Sequence, residues 1–243
     1  MKNSTMPFLF DVDGTLTPSR GIIDKEFGEF FKKFADTNYV YLVTGSDYNK
    51  TVEQCGEDII MSVKRVYNCS GNDVWEKGKN IYTNEWHLPE EAEGWLLQEL
   101  RYSNFPLRTG LHLEHRPGMC NFSVVGRNAT LGERKLYVQH DESTRERNNV
   151  AIIFKQKFLD IEAVVGGETG IDIYPIGSDK SQILKDFSQD DFIYFFGDRC
   201  EPGGNDYPIA NAIREGERMG VPFQVDGWKD TWSKLNAYIT NGT

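Results

Sequence analysis

At 243 residues, 39% of them hydrophobic and 13% aromatic, the chain can bury a sizeable core without help from metals or disulfides, which excludes an intrinsically disordered protein. Its 27 Lys and Arg against 37 Asp and Glu leave a formal charge of −10; that field repels nucleic acid and anionic membrane, so an anionic ligand must be met by a local cluster of Arg or Lys. The opening MKNSTMPFLFDVDGT has too short an apolar run for a secretory signal, no window can span a bilayer, and Cys55, Cys69, Cys120 and Cys200 are too scattered for a disulfide framework, so a cytoplasmic protein with reduced thiols is expected.

In chain order, Phe8 to Phe10 forms an apolar run ending at Asp11, and Tyr39 to Val43 forms a second ending at Thr44. Runs of this length suit strands buried on both faces of a parallel sheet. Between them Asp24 to Phe34 sets Phe27, Phe30, Phe31 and Phe34 at helical spacing. The middle of the chain changes grammar: Leu111 to Glu114 and Asn121 to Val125, joined by Arg116-Pro117-Gly118-Met119, predict an antiparallel hairpin. A helix over Asn149 to Phe158 and strands over Ile161 to Val165 and Ile171 to Tyr174 follow, and a third buried run, Phe192 to Phe196, precedes Gly197 and Asp198. The expected fold is an α/β core with a parallel sheet and helices on both faces, residues 1–80 and 179–243, interrupted at 81–178 by an inserted α+β cap domain with an antiparallel sheet. A hinge is expected near 79–82 and 176–179, close to Gly78 and Gly177.

Ligands of open parallel sheets bind beyond the carboxyl ends of the strands, where these runs deliver Asp11, Thr44 and Asp198. In Asp11-Val12-Asp13-Gly14-Thr15, Asp11 can attack phosphorus to give an aspartyl phosphate, and Asp13 can protonate the leaving oxygen and deprotonate the incoming one. A carboxylate and a phosphate repel by about 4 kcal/mol per pair of unit charges at about 4 Å in an effective dielectric near 20, so a cation must sit between them. Magnesium takes carboxylate and phosphate oxygens, and Asp11, Asp13, Asp198 and Asp206 form the candidate metal set. Thr44 or Ser46 can donate a hydroxyl to the transferring group, and Lys180 can neutralise its charge.

The D-x-D-G-T, T-G-S, Lys180 and G-D-x(6)-N-D elements resemble, in order, the haloacid dehalogenase superfamily. Over nearly the whole chain the sequence resembles eukaryotic-type phosphomannomutases. The resemblance rests on Phe10 to Thr17 with Arg20, Gly45-Ser46-Asp47, and Arg116-x-Gly118-Met119-x-Asn121-x-Ser123-x-x-Gly126-Arg127. It continues through Gly166-Gly167, Asp172, Asp179-Lys180 and Phe195 to Asp206. It implies a haloacid dehalogenase-like core with an inserted cap, and Asp11 as nucleophile with Asp13 as acid/base. It also implies a sugar-phosphate site lined by Arg20, Arg116, Asn121, Arg127, Arg134 and Asp172. A mutase must hold the phosphate that is not reacting, and arginine grips phosphate through two parallel hydrogen bonds. The resemblance further implies Mg2+, a hexose 1,6-bisphosphate activator, a homodimer formed through the cap, and a role in GDP-mannose supply.

Two departures from the family pattern stand out. Gly170 replaces a serine two residues before Asp172, removing a hydroxyl from the substrate set while leaving a backbone N–H there. Ala212 and its neighbours lack the acid and threonine of a second cation loop, so one magnesium is expected. Three readings stay open: a mutase for mannose phosphates and secondarily glucose phosphates, a sugar-phosphate phosphatase in which water discharges Asp11, and a sugar-phosphate-binding protein without catalysis.

Overall fold

The computed structural model describes residues 5–19 and 21–241. The chain enters through β1 (Pro7–Phe10), α1 (Lys25–Thr37), β2 (Tyr39–Val43), α2 (Tyr48–Cys55), α3 (Glu57–Ser62), β3 (Arg65–Asn68), β4 (Asp73–Glu76) and β5 (Lys79–Thr83). It continues through α4 (Glu90–Tyr102), β6 (Leu113–Arg116), β7 (Met119–Phe122), α5 (Leu131–Thr144), α6 (Glu146–Lys157), β8 (Ile161–Gly166) and β9 (Gly170–Pro175). After a 3₁₀ segment over Lys180–Asp186 come β10 (Ile193–Gly197), α7 (Tyr207–Arg214), β11 (Gly220–Gln224) and α8 (Trp228–Asn241). Two compact units result, Met1–Thr83 with Asp179–Thr243, and Asn84–Ser178. Among the described residues no helix is long and apolar enough to cross a membrane.

The first unit is organised by one sheet of order β11-β10-β1-β2-β3-β4-β5, parallel from β11 to β3 and antiparallel at its β4 and β5 end. The apolar runs are continuous because both faces of these strands are covered. Phe8 and Phe10 of β1, Val40 and Leu42 of β2 and Phe196 of β10 point into one core with α1 and α8. Leu9, Val43, Ile193 and Phe195 point into another with α7 and the Lys180–Asp186 segment. Helix α1 starts where Asp24 accepts hydrogen bonds from the Glu26 and Phe27 amides, an N-cap worth about 1 kcal/mol. It buries Phe27, Phe31 and Phe34, each contributing about 1.5–3 kcal/mol of burial.

The second unit has an antiparallel sheet of order β6-β7-β9-β8. One face packs Phe122, Ile171, Cys120, Ile173 and Ala163 against Leu96, Tyr137 and Phe154 of its helices. The hairpin is tighter than the expected segments. Arg116 and Met119 themselves pair, so the turn is Pro117-Gly118 alone, with Gly118 at φ 63°. Helix α6 starts at Glu146, three residues before the expected Asn149. Helices α4 and α5 lack a strong periodic signal: α5 buries only Arg134 and Tyr137, and α4 buries Ala92 and Leu96 around an internal Gly94.

Candidate active site

In the first unit, the Asp11 amide donates to the Phe196 carbonyl at 2.9 Å, carrying the β1–β10 ladder one residue past the strand. The chain then turns sharply at Gly14, φ 80°, with the Gly14 amide donating to the Thr17 carbonyl at 2.9 Å. A Cβ at residue 14 would lie 2.4 Å from Asp198 Oδ2, so the turn needs glycine for its backbone and for the room it leaves. Asp198 follows β10, and Asp206 stands at the start of α7. Lys180 opens the 3₁₀ segment, whose start is fixed by Asp179 accepting from the Ser181 amide at 2.7 Å.

Three segments thus converge on one charged centre. Lys180 Nζ donates to Asp11 Oδ1 at 2.5 Å and to Asp206 Oδ1 at 2.7 Å, and all three side chains are almost wholly buried. Asp206 Oδ2 accepts from the Arg199 amide at 3.1 Å, whereas the buried Asp11 Oδ2 has no hydrogen-bond partner among the described residues. Carboxylate oxygens of Asp11, Asp198 and Asp206 lie within 4.8 Å of one another. Burial, then Asp206 and Asp198, push the Asp11 carboxyl well above the ordinary range, with Lys180 pulling the other way. Burial opposes the charge on Lys180, but Asp11 and Asp206 outweigh it and hold the ammonium above its usual value. Asp198 is pushed up to about 6 by burial and by Asp206. Three acids around one ammonium leave an excess of negative charge. An all-oxygen donor set with one orphaned buried oxygen fits a magnesium ion, which Asp11, Asp198 and Asp206 would hold. Beside them a cavity of about 390 Å³ is lined by Gly14, Thr17, Ser19, Asp198 and Asp226, among others.

Asp13 lies outside this acidic group. Its carboxylate accepts from Gln54 Nε2 at 2.9 Å and from Ser46 Oγ at 3.4 Å. The fully buried Gln54 also donates to Thr17 Oγ1 and the Gly21 carbonyl, each at 3.3 Å, so helix α2 fixes the turn that carries Asp13. Thr44 Oγ1 accepts from the Ser46 amide at 3.1 Å. The Thr44 and Ser46 carbonyls accept from the Ser70 and Cys69 amides at 2.8 and 2.9 Å. Those donors belong to a left-handed run, Cys69 (φ 48°), Ser70 (φ 59°) and Gly71 (φ 93°), and the Ser70 carbonyl accepts from Gln182 at 2.9 Å. Two non-glycine residues in this region cost about 1–3 kcal/mol each, a strain that persists where surroundings over-determine the backbone. Here it ties the Thr44–Ser46 loop to the segment bearing Lys180.

In the second unit the sheet face opposite the helices carries a polar row. Glu114 of β6 stands across from Asn121 of β7, which stands across from Asp172 of β9. Asn121 Nδ2 donates to Asp172 Oδ1 at 2.6 Å, while the buried Asn121 Oδ1 has no hydrogen-bond partner among the described residues. A Cβ on Gly170 would come within 2.5 Å of Asn121 Nδ2, and one on Gly166 within 2.1 Å of Asp172 Oδ2. The room left by Gly170 is therefore filled by the Asn121 carboxamide. Arg116 Nη2 donates to Glu114 Oε2 at 2.7 Å, and Arg127 Nε donates to the same oxygen. Burial works against the Glu114 carboxylate, but Arg116 and Arg127 outweigh it and hold its carboxyl below the ordinary range. Arg127 is lowered by burial and by Arg116. Arg134, almost wholly buried, donates to Glu168 Oε2 through Nη2 at 3.1 Å, and its Nη1 has no hydrogen-bond partner among the described residues.

A family model described as eukaryotic phosphomannomutase matches residues 27–241. The chain belongs to the eukaryotic phosphomannomutase family. It is 35% identical over 228 residues to phosphomannomutase 1 of Dictyostelium discoideum, covering 90% of this chain and 92% of that one. It is 36% identical to the phosphomannomutase of Galdieria sulphuraria, covering 85% of each. A solved structure with the same fold is the C-terminal domain of C. albicans trehalose-6-phosphate phosphatase, with a TM-score of 0.62 at 13% identity, covering 96% of this chain and 91% of that one. The parallel-sheet core and the inserted antiparallel unit read from the sequence are both present, in a fold shared with that structure.

Of the residues expected at the family's site, the first unit gathers Asp11, Lys180, Asp198 and Asp206, with Asp13, Thr44 and Ser46 joined by hydrogen bonds. The second places Arg116, Asn121, Arg127, Gly170 and Asp172 on or beside one sheet face, and ties Arg134 to Glu168 on the β8–β9 turn. Arg20 lies outside the described residues. Sequence reasoning passed over Gln54 and Glu114. For Glu114 a signal existed, an acid two residues before Arg116 on a strand and so on the same face; for Gln54, a polar residue at a buried helical position, none did.

Proposed function

We propose that the protein interconverts mannose 6-phosphate and mannose 1-phosphate, accepting glucose phosphates secondarily, as an isomerase primed by a hexose 1,6-bisphosphate. The buried Asp11 Oδ2 beside Lys180 is the observation that carries this reading: a carboxylate oxygen without a hydrogen-bond partner among the described residues, next to a cation. In one half-reaction an Asp11 carboxylate oxygen bonds to phosphorus as the P–O bond to the sugar breaks, and Asp13 gives its proton to the departing sugar oxygen. In the other, Asp13 takes the proton from a sugar hydroxyl as that oxygen bonds to phosphorus and the Asp11 carboxylate departs. Ser46 and Thr44 offer hydroxyls to the transferring oxygens. Lys180 holds Asp11 in place and opposes the repulsion between carboxylate and phosphate. When bound at Asp11, Asp198 and Asp206, Mg2+ supplies positive charge to the transferring oxygens.

Arg116, Arg127 and Arg134, with Arg20, hold the phosphate that is not transferred, and Asn121 and Asp172 bind the sugar. Membership of the phosphomannomutase family supports transfer to sugar over hydrolysis, and the Gly170 space is occupied by the Asn121 carboxamide. Four buried free cysteines suit a reducing, cytoplasmic setting, where the product feeds GDP-mannose synthesis. The assembly we propose is a homodimer through the inserted unit; a solution mass near 27.8 kDa would refute it.

The test is to incubate the protein with mannose 1-phosphate and magnesium, with and without glucose 1,6-bisphosphate, and to measure mannose 6-phosphate and free phosphate together. Isomer formation that requires the bisphosphate is expected. Free phosphate as the main product would assign a phosphatase, and tight binding without turnover a binding protein.

A further inference from the structure

Two guanidiniums meeting on one carboxylate oxygen is an unusual economy on a chain with 37 acids to choose from. Arg116 lies two residues beyond Glu114 on β6, whereas Arg127 arrives from beyond β7, its amide donating to the Leu111 carbonyl at 2.7 Å. Burial and then the neighbouring Arg116 charge lower Arg127, and like charges repel, so the carboxylate that both guanidiniums reach is what keeps them on a common aim. We infer that Glu114 is a positioning residue, a permanent internal anion that holds Arg116 and Arg127 converged before substrate arrives, so that they meet a phosphate as a preformed pair. This rests on the proposed reading of the two arginines as phosphate ligands.

Glu168 on Arg134 offers the contrast. The Glu168 side chain is 58% exposed, an acid that solvent can draw away, whereas that of Glu114 is 27% exposed and inside the sheet register opposite Asn121. The benefit is preorganisation: a site whose donors are already aimed does not spend binding energy gathering them. Glu114 makes no covalent step and need not touch the sugar, so its removal should weaken substrate capture and leave the chemistry at Asp11 intact.

The experiment compares Glu114→Gln, Arg127→Ala and the double variant in bisphosphate-primed isomerisation, with KM and kcat separated. Glu114→Gln is expected to raise KM for mannose 1-phosphate about tenfold with kcat within about twofold, the size of one lost charge-assisted hydrogen bond. In the Arg127→Ala background the same change should raise KM by a smaller factor, since one of the two guanidiniums that Glu114 holds is already gone. An unchanged or lowered KM for Glu114→Gln, beside a raised KM for Arg127→Ala, overturns the role of Glu114 alone. An unchanged KM for Arg127→Ala overturns the phosphate reading of the arginines and with it this inference. A measurement on the unmodified protein covers the case in which the variants fail to fold: the Arg127 Nε–H should exchange slowly in NMR spectra of the substrate-free protein. Rapid exchange there would overturn the proposal.

Discussion

The two units solve opposite electrostatic problems with the same device. In the first, a single ammonium, Lys180, is shared between Asp11 and Asp206, with Asp198 beside them, and the centre is left with negative charge to spare. In the second, a single carboxylate, Glu114, is shared between Arg116 and Arg127, with Asp172 on the same polar row. The first is almost wholly buried and so suited to holding a cation and a nucleophile immobile. The second is half-open, suited to an anion that has to enter, turn and leave. In each, one shared counter-charge keeps two like charges together.

The largest effect should come from breaking the first centre chemically. Asp11→Asn is expected to lower turnover by about 10⁴-fold or more and to abolish phosphate labelling of the protein by the bisphosphate; labelling that survives would remove Asp11 from the role of acceptor. Next, Lys180→Met keeps the volume of the side chain but leaves two buried carboxylates facing each other. It should cost about 3–5 kcal/mol of folding stability by chemical denaturation. A loss no larger than that of an exposed lysine would mean that the ammonium is not what holds this centre together.

Acidity separates the two centres more finely. With its pKa raised to about 6, the Asp198 carboxyl binds a proton more tightly in the folded protein than in the unfolded chain. Without metal its contribution is therefore destabilising as pH rises from the ordinary carboxylate value through about 6. Because proton and cation compete for it, magnesium affinity should fall by up to about tenfold per pH unit below that value, as read by calorimetry at pH 5 and 7.5. Glu114 has the opposite sign. Its carboxyl is lowered, so its stabilising contribution is complete above the unfolded value and is lost only as pH falls through the folded one. Sugar-phosphate capture through the arginine pair should thus survive at pH 5, where magnesium binding weakens; parallel loss of both would erase the distinction. The smallest expected effect is that of Gly170→Ala, whose Cβ must displace the Asn121 carboxamide from Asp172. About 1–3 kcal/mol of stability should be lost, with the Asn121–Asp172 hydrogen bond broken in a structure of the variant.

The central strands and their functional ends were legible because burial on both faces writes a plain signal: apolar runs that stop at Asp11, Thr44 and Asp198. The hairpin was legible from Pro117-Gly118, although its strands pair right up to the turn. Helices α4 and α5 were not, because they bury too few apolar side chains to leave a stripe. At the candidate site, residue types pointed to the nucleophile and the arginines, while partnerships stayed hidden. Nothing in one-dimensional order says that Gln54 reaches Asp13, or that Asn121 fills the space beside Gly170. The absence of a serine at residue 170 reads from sequence as a lost hydroxyl; in three dimensions it is room for an amide.

The pairing of β1 with β10 and of Asp11 with Lys180 has a consequence for the birth of the protein on the ribosome. The strand carrying the nucleophile is made first, yet its counter-ion emerges 169 residues after Asp11 and one of its two sheet neighbours later still, after the whole inserted unit. Until then the Phe8–Phe10 strand has an open edge and Asp11 has no ammonium beside it, so the catalytic half cannot close while the nascent chain is short. The inserted unit, whose sheet is closed within Asn84–Ser178, can fold during that wait. Variants that slow its folding should therefore lower the yield of active enzyme through aggregation of the waiting amino-terminal segment, even where the finished protein is stable.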